Sequence, residues 1–213
     1  MHVEIWSDLA CPWCYVGKRR FEAALARFED ADAVTVTYRA FELDPEAPAE
    51  RAGPIAEHLA RKYGITPERA RELNDQLTAI AAADGIEMRY DRVRSGNTLD
   101  AHRVVALAAA HGRQADMVER LFRAYFTDGE LLSDQDVLRR LAVEVGLPGE
   151  ETDALLAGDG YTDAVRADEQ LARAIGIQAV PFYAVDRRIG AAGAQDPEVL
   201  LDMLREIGRR SAA

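Results

Sequence analysis

Apolar residues along this chain change their period from segment to segment. Residues 2–6, HVEIW, read as a short strand. From Pro12 the spacing turns helical, with Val16, Phe21, Leu25 and Phe28 near one face. Proline suits a first helical turn, where its missing N–H has no intrahelical role. The stretch AVTVTYRAF (33–41) alternates Val34, Val36 and Tyr38 and is rich in β-branched and aromatic residues, which predicts a second strand. The chain therefore starts as strand–helix–strand, a βαβ unit.

A proline-rich stretch, ELDPEAPAERAGP (42–54), follows and reads as a boundary or linker. Beyond it the periodicity is helical. Ile55, Leu59 and Tyr63 form one stripe. Thr66 and Pro67 open the next helix as N-cap and first residue, and Leu73, Leu77 and Ile80 carry it toward Gly85. After a loop or extended segment at 86–97, helices are expected at 98–111, 114–127 and 133–145. The last has Ser133 as N-cap, Val137, Leu138, Leu141 and Val145 as its face, and Gly146 beyond its end. Two more, at 150–157 and 161–175, close the block.

The strand pattern then returns. IQAVPFYAV (177–185) reads as a strand interrupted by Pro181, with RRIGAAG (187–193) as its hairpin partner across Asp186 and Arg187. DPEVLLDMLREIG (196–208) is an amphipathic helix with Asp196 as N-cap, and the tail 209–213 is expected to be disordered. An α/β layer interrupted by an all-helical insertion explains this order with the fewest assumptions. Its boundaries are 1–45 and 160–213 for the layer and 46–159 for the insertion.

Composition narrows the function classes. The 213 residues carry 26 basic and 37 acidic side chains, a net charge of −11, which argues against nucleic acid and anionic membranes as partners. The start shows no basic region followed by an apolar run, and no stretch is long and apolar enough to span a bilayer. A cytoplasmic location is the expectation.

The only two cysteines, Cys11 and Cys14, stand two residues apart at the junction of the first strand and helix. A thiol attacks as thiolate, and the unpaired N–H groups and dipole of a helix N-terminus favour that form. Cys11 would lie where those groups point, as an exposed nucleophile. Cys14, about one turn on, would face inward as the buried resolving thiol. Two other readings fit a CxxC pair. A structural zinc site needs about four ligands, but there is no second CxxC and His2, His58, His102 and His111 are scattered, so no metal is expected. Two inert core cysteines are the remaining alternative. Pro181 is equally double-sided: a cis Val180–Pro181 bond and a trans edge-strand proline both satisfy the local sequence.

Taken together, SDLACPWCYVGKRRF (7–21), FELDP (41–45), NTLDAHR (97–103), LFRAYFTDGELLSDQDVL (121–138), VPF (180–182) and GAQDPEV (193–199) resemble the DsbA-like branch of the thioredoxin superfamily, in particular its FrnE-type subgroup. The resemblance spans nearly the whole chain. It implies a thioredoxin-like fold with a helical insertion and thiol–disulfide oxidoreductase or isomerase activity. It implies Cys11 as nucleophile, Cys14 as resolving cysteine and a cis Pro181 facing them. Pro12, Trp13, Val180 and Phe182 become candidate substrate contacts, beside a groove lined by Trp13, Tyr15 and Phe182. The partner would be a protein or small-molecule thiol or disulfide. No tightly bound cofactor is expected beyond the redox-active Cys11–Cys14 disulfide, with glutathione as a candidate co-substrate.

The chain departs from the family pattern in two places. Trp13 stands where DsbA has histidine, and Ile5 stands where thioredoxin and DsbA carry a buried acid. Asp8 is the alternative proton relay for Cys14, or else a loop-end cap. Asn97 either faces the cleft or caps the helix after it. The chain is also similar to kappa-class glutathione transferases and 2-hydroxychromene-2-carboxylate isomerases, which have serine at the Cys11 position and bind glutathione at the same helix. That similarity implies the alternative function, a glutathione-dependent isomerase or transferase.

Overall fold

A computed structural model describes residues 1–211. The chain divides into two compact units, Met1–Glu42 together with the chain from Ala164 onward, and Leu43–Asp163.

The first unit is built on a four-stranded sheet. Its strands are β1 (His2–Ser7), β2 (Thr35–Ala40), β3 (Phe182–Val185) and β4 (Ile189–Ala192), in spatial order β2-β1-β3-β4. The β1–β2 pair is parallel, joined through helix α1 (Pro12–Leu25), so the predicted βαβ unit is present. The β1–β3 and β3–β4 pairs are antiparallel. Strand alternation gives β1 two distinct faces. Val3, Ile5 and Ser7 look one way, Glu4 and Trp6 the other, and all five are buried. Tyr183, in register with Ile5, stacks on Phe21 of α1 at 5.8 Å between ring centroids. Trp6, in register with Phe182, meets that ring edge-on and donates its indole N–H to the Asp168 carbonyl. The Ile5 face is therefore the α1 face.

The hairpin turn is tighter than its residues suggest. Asp186 and Arg187 adopt φ of 48° and 54°, and the Arg188 N–H closes the turn on the Val185 carbonyl at 2.9 Å. Two successive positive φ values match the right-handed twist of the strands. The predicted strand from 177 starts only at Phe182, because Pro181 cannot donate to the ladder. The expected disordered tail is corrected in part: the last helix runs from Pro197 to Ser211, while 212–213 lie outside the described residues.

The second unit is helical: α2 (Ile55–Tyr63), α3 (Pro67–Ala83), α4 (Leu99–Ala110), α5 (Gln114–Arg123), α6 (Gln135–Glu144) and α7 (Gly149–Ala157). Helix α8 (Thr162–Ala174) leads back into the first unit, and α9 is Pro197–Ser211. Thr66 caps α3 as predicted, its hydroxyl accepting the Arg69 N–H at 3.1 Å. The buried side of α3 is Ala70, Asn74, Leu77 and Ala81, whereas Leu73 and Ile80 are exposed. Small alanines lie at the contact with α2, where Ala56, Ala60 and Ala70 form a cluster, so the larger apolar residues were a misleading guide to the face. Tyr63 of the α2 stripe is also exposed.

The cap of α6 is Asp134 rather than Ser133: its carboxylate accepts the N–H groups of Asp136 and Val137. The Ser133 hydroxyl is instead turned to the Ala49 carbonyl. The predicted helix 114–127 gives way after Arg123 to a wider π turn, Ala124–Asp128, ended by Gly129 at φ 77°.

Candidate active site

Strand β1 ends at Ser7, and a short turn converts it into α1. The Cys11 N–H donates to the Asp8 carbonyl at 3.0 Å, and one Asp8 carboxylate oxygen accepts the Ala10 N–H at 3.1 Å. Asp8 thus closes the turn, and it is buried. Cys11 is the N-cap of α1 with extended backbone, and Pro12 occupies the first helical position. No side chain caps this end, and the Cys14 and Tyr15 N–H groups are taken by the Cys11 carbonyl.

Both cysteines are free thiols. The expectation of an exposed Cys11 is corrected: it is 5% exposed and Cys14 is 2% exposed. The reason is Val180, whose carbonyl accepts from the Cys11 thiol at 3.8 Å. The Val180–Pro181 peptide is cis, and the Pro181 carbonyl accepts the Gly193 N–H at 2.7 Å. No backbone hydrogen bond to the Val180 N–H forms among the described residues.

Burial pushes the Cys14 thiol well above the ordinary thiol range, and the adjacent Cys11 adds to this through hydrogen bonding and charge. The Ser7 hydroxyl and the Asp8 backbone act on Cys14 in the opposite direction.

Gly17 fixes the third wall. A Cβ there would collide with the Tyr183 hydroxyl and lie 2.8 Å from Pro181 Cγ. The absence of a side chain is what lets α1 approach the cis-proline turn so closely. An isolated glycine inside a helical pattern is the signal that could have found it. Ser7 and Tyr183 are the other residues that sequence reasoning missed, and strand alternation carries the signal for both.

The sequence-nominated residues divide. Cys11, Cys14, Val180 and Pro181 come together. Pro12 is half-buried beside them and Trp13 is exposed at 42%. Phe182 is placed on the opposite sheet face, against Trp6, because it alternates with Tyr183. Tyr15, expected to line a groove, is buried, with the Arg19 guanidinium 5.5 Å from its ring centroid. Asn97 is spent on structure: its side-chain oxygen accepts the Leu99 N–H at 2.8 Å and its amide reaches the Pro45 and Ala47 carbonyls. Among the described residues no group of three or more His, Cys, Asp or Glu side chains is arranged to hold a metal ion.

Behind the sheet, Glu4 anchors an ion network. It accepts from Arg39 at 2.7 Å and from Arg187 at 2.6 Å, and Arg39 continues to Asp168 at 2.9 Å. The Arg187 hydrogen bonds, opposed by burial and joined by Arg39, hold the Glu4 carboxyl down at about 2.

Known proteins share this fold. The DsbA-like thioredoxin domain matches residues 2–205. The probable DsbA oxidoreductase SCO1869 of Streptomyces coelicolor is 44% identical, with a TM-score of 0.92 over 97% of this chain and 89% of that one. A 2-hydroxychromene-2-carboxylate isomerase shares the fold at 17% identity and a TM-score of 0.74, over 100% of this chain and 98% of that one. The cytosolic disulfide reductase DsbM of Pseudomonas aeruginosa, solved with glutathione, shares it at 20% identity and a TM-score of 0.69, over 98% of this chain and 100% of that one. The chain belongs to the DsbA-like thioredoxin domain family.

Proposed function

We propose that the protein is a thiol–disulfide oxidoreductase or isomerase working through Cys11 and Cys14. The observation that carries this reading is the meeting of Cys11, at the start of α1, with the Val180 carbonyl just before the cis Pro181. In the reducing direction the Cys11 thiolate attacks a substrate disulfide. A mixed disulfide forms on Cys11, and one substrate sulfur leaves with the electron pair. Cys14 then attacks Cys11, the second substrate sulfur leaves, and the pair ends as a disulfide while the substrate ends as a dithiol. Oxidation is the same sequence reversed. The Val180 N–H, which no backbone carbonyl takes among the described residues, supports an extended substrate backbone docking beside the pair, with Pro12 and Trp13 flanking it.

Glutathione is the proposed small-thiol partner, and a cytosolic setting the proposed location. Both rest on the shared fold with DsbM, a cytosolic reductase solved with glutathione. A cytosolic setting favours reduction or isomerisation over net oxidation. Turnover of a disulfide-bonded peptide by the reduced protein, lost in the Cys11→Ser variant, tests the reading. Retained turnover in that variant overturns it. The isomerase fold favours one alternative, glutathione-dependent catalysis without a disulfide. It requires the Cys11→Ser, Cys14→Ser double variant to bind glutathione and convert an electrophile.

A further inference from the structure

The sheet face that carries Ile5 toward α1 also carries Ser7, two residues further along β1. Tyr183 joins this face through its register with Ile5 and its stacking on Phe21. The Ser7 and Tyr183 hydroxyl oxygens are both buried, and neither has a hydrogen-bond partner among the described residues. Buried hydroxyls are normally paired, so two unpaired ones on one face of the sheet require a reason. Both converge on the first turns of α1. The Tyr183 hydroxyl rests against Gly17, one turn beyond Cys14, and Ser7, on the β1 face that packs on α1, acts through its hydroxyl on the buried Cys14.

No carboxylate on β1 takes that place. Glu4 lies on the opposite face, committed to Arg39 and Arg187. Asp8 uses one carboxylate oxygen on the Ala10 N–H. Around Cys14 the groups that matter are therefore Cys11, the Ser7 and Tyr183 hydroxyls and the Asp8 backbone.

We propose that Ser7 is a positioning residue for the resolving step, its hydroxyl donating a hydrogen bond to Cys14 as the Cys14 thiolate forms. The proposal rests on the disulfide-exchange reading above. In that step a bond forms between Cys14 Sγ and Cys11 Sγ, and the bond between Cys11 Sγ and the substrate sulfur breaks. The electron pair leaves on the substrate sulfur, which also takes up the proton lost by Cys14. Ser7 keeps its own proton throughout. A hydrogen bond to an ionised acceptor is stronger than one to a neutral acceptor, so Ser7 favours the charged intermediate over the resting thiol. Tyr183 also keeps its proton, since burial and the neighbouring Cys14 hold its ionisation well above the ordinary phenol range.

The test compares Ser7→Thr with Ser7→Val, side chains of one shape that differ in the hydroxyl. Each reduced protein is mixed with a chromogenic aryl disulfide. The first aryl thiolate released reports attack by Cys11, and the second reports attack by Cys14. The valine variant is expected to slow the second release roughly tenfold at neutral pH and to move its pH profile up by about one unit, leaving the first release within about twofold. The threonine variant is expected to retain both phases. If the valine variant does not fold, Ser7→Ala replaces it. Equal second-phase rates with and without the hydroxyl overturn the proposal. Absence of a first phase, or its persistence in Cys11→Ser, overturns the disulfide-exchange reading instead.

Discussion

Gly17 and Pro181 meet where helix and cis-proline turn leave no room for a methyl group: a Cβ on Gly17 would lie 2.8 Å from Pro181 Cγ. In an ordinary helix interior, glycine to alanine stabilises by about 1 kcal/mol. Here the sign reverses. Gly17→Ala forces Pro181 and Tyr183 away from α1, an overpacking cost of about 1–3 kcal/mol. Chemical denaturation should show a lower midpoint. The rate of disulfide exchange should fall as well, because the displaced turn carries the Val180 carbonyl away from Cys11.

The Glu4 network makes stability depend on acid pH. The folded carboxyl, held at about 2, lies below the ordinary glutamate value of about 4.3. Its contribution is fully present above the unfolded value and is lost as pH falls toward the folded one. The depression corresponds to something on the order of 3 kcal/mol, and Glu4→Gln should remove much of the difference in urea midpoint between pH 7 and about pH 2.5. An unchanged pH dependence in Glu4→Gln would show that other carboxyls dominate.

Cys14 should be a slow thiol. With Cys11 replaced by serine, burial remains the largest influence on it and acts to disfavour the thiolate. Alkylation of Cys14 in the folded Cys11→Ser protein is expected to lag behind the same cysteine in the denatured chain across neutral pH. Equal rates would place Cys14 in contact with solvent and contradict its resolving role.

The two acidic-loop positions before α6 should separate. Asp134→Ala removes the cap from two N–H groups and is expected to cost about 1 kcal/mol, or roughly 2–4 °C in thermal midpoint. Ser133→Ala removes a hydroxyl bonded to the Ala49 carbonyl and leaves the cap intact. Thermal melts of the two variants read this directly, and a larger loss at Ser133 would reassign the cap.

Local chemistry explains which features were legible in the sequence. The βαβ start, the hairpin and the positions of nearly every helix follow from apolar period, prolines and capping residues. The CPWC motif at a strand–helix junction named Cys11 and Cys14, and the proline inside an apparent strand named Pro181. What failed depends on contacts distant in sequence. Leu73 and Ile80 have the right spacing for a buried stripe, yet α3 packs closely on α2 through alanines instead. Cys11 reads as exposed until the Val180 carbonyl, 169 residues away, covers it. Phe182 lies on the sheet face opposite Ile5 because it pairs in register with Trp6, a partner 176 residues away in sequence. Ser7 and Gly17 carry only weak local signals, an alternating strand position and a glycine inside a helical pattern, and their roles come from what lies against them.

Trapping of the mixed disulfide tests the central claim most directly. The Cys14→Ser protein, mixed with a disulfide-bonded peptide, should form a covalent adduct on Cys11 that persists because nothing resolves it, and intact mass should show one peptide per chain. Formation should be faster in the folded protein than in the same chain unfolded, and the adduct should be absent when Cys11 is also replaced. A folded Cys14→Ser protein that forms no adduct, or forms it no faster than the unfolded chain, would contradict Cys11 as the attacking thiol.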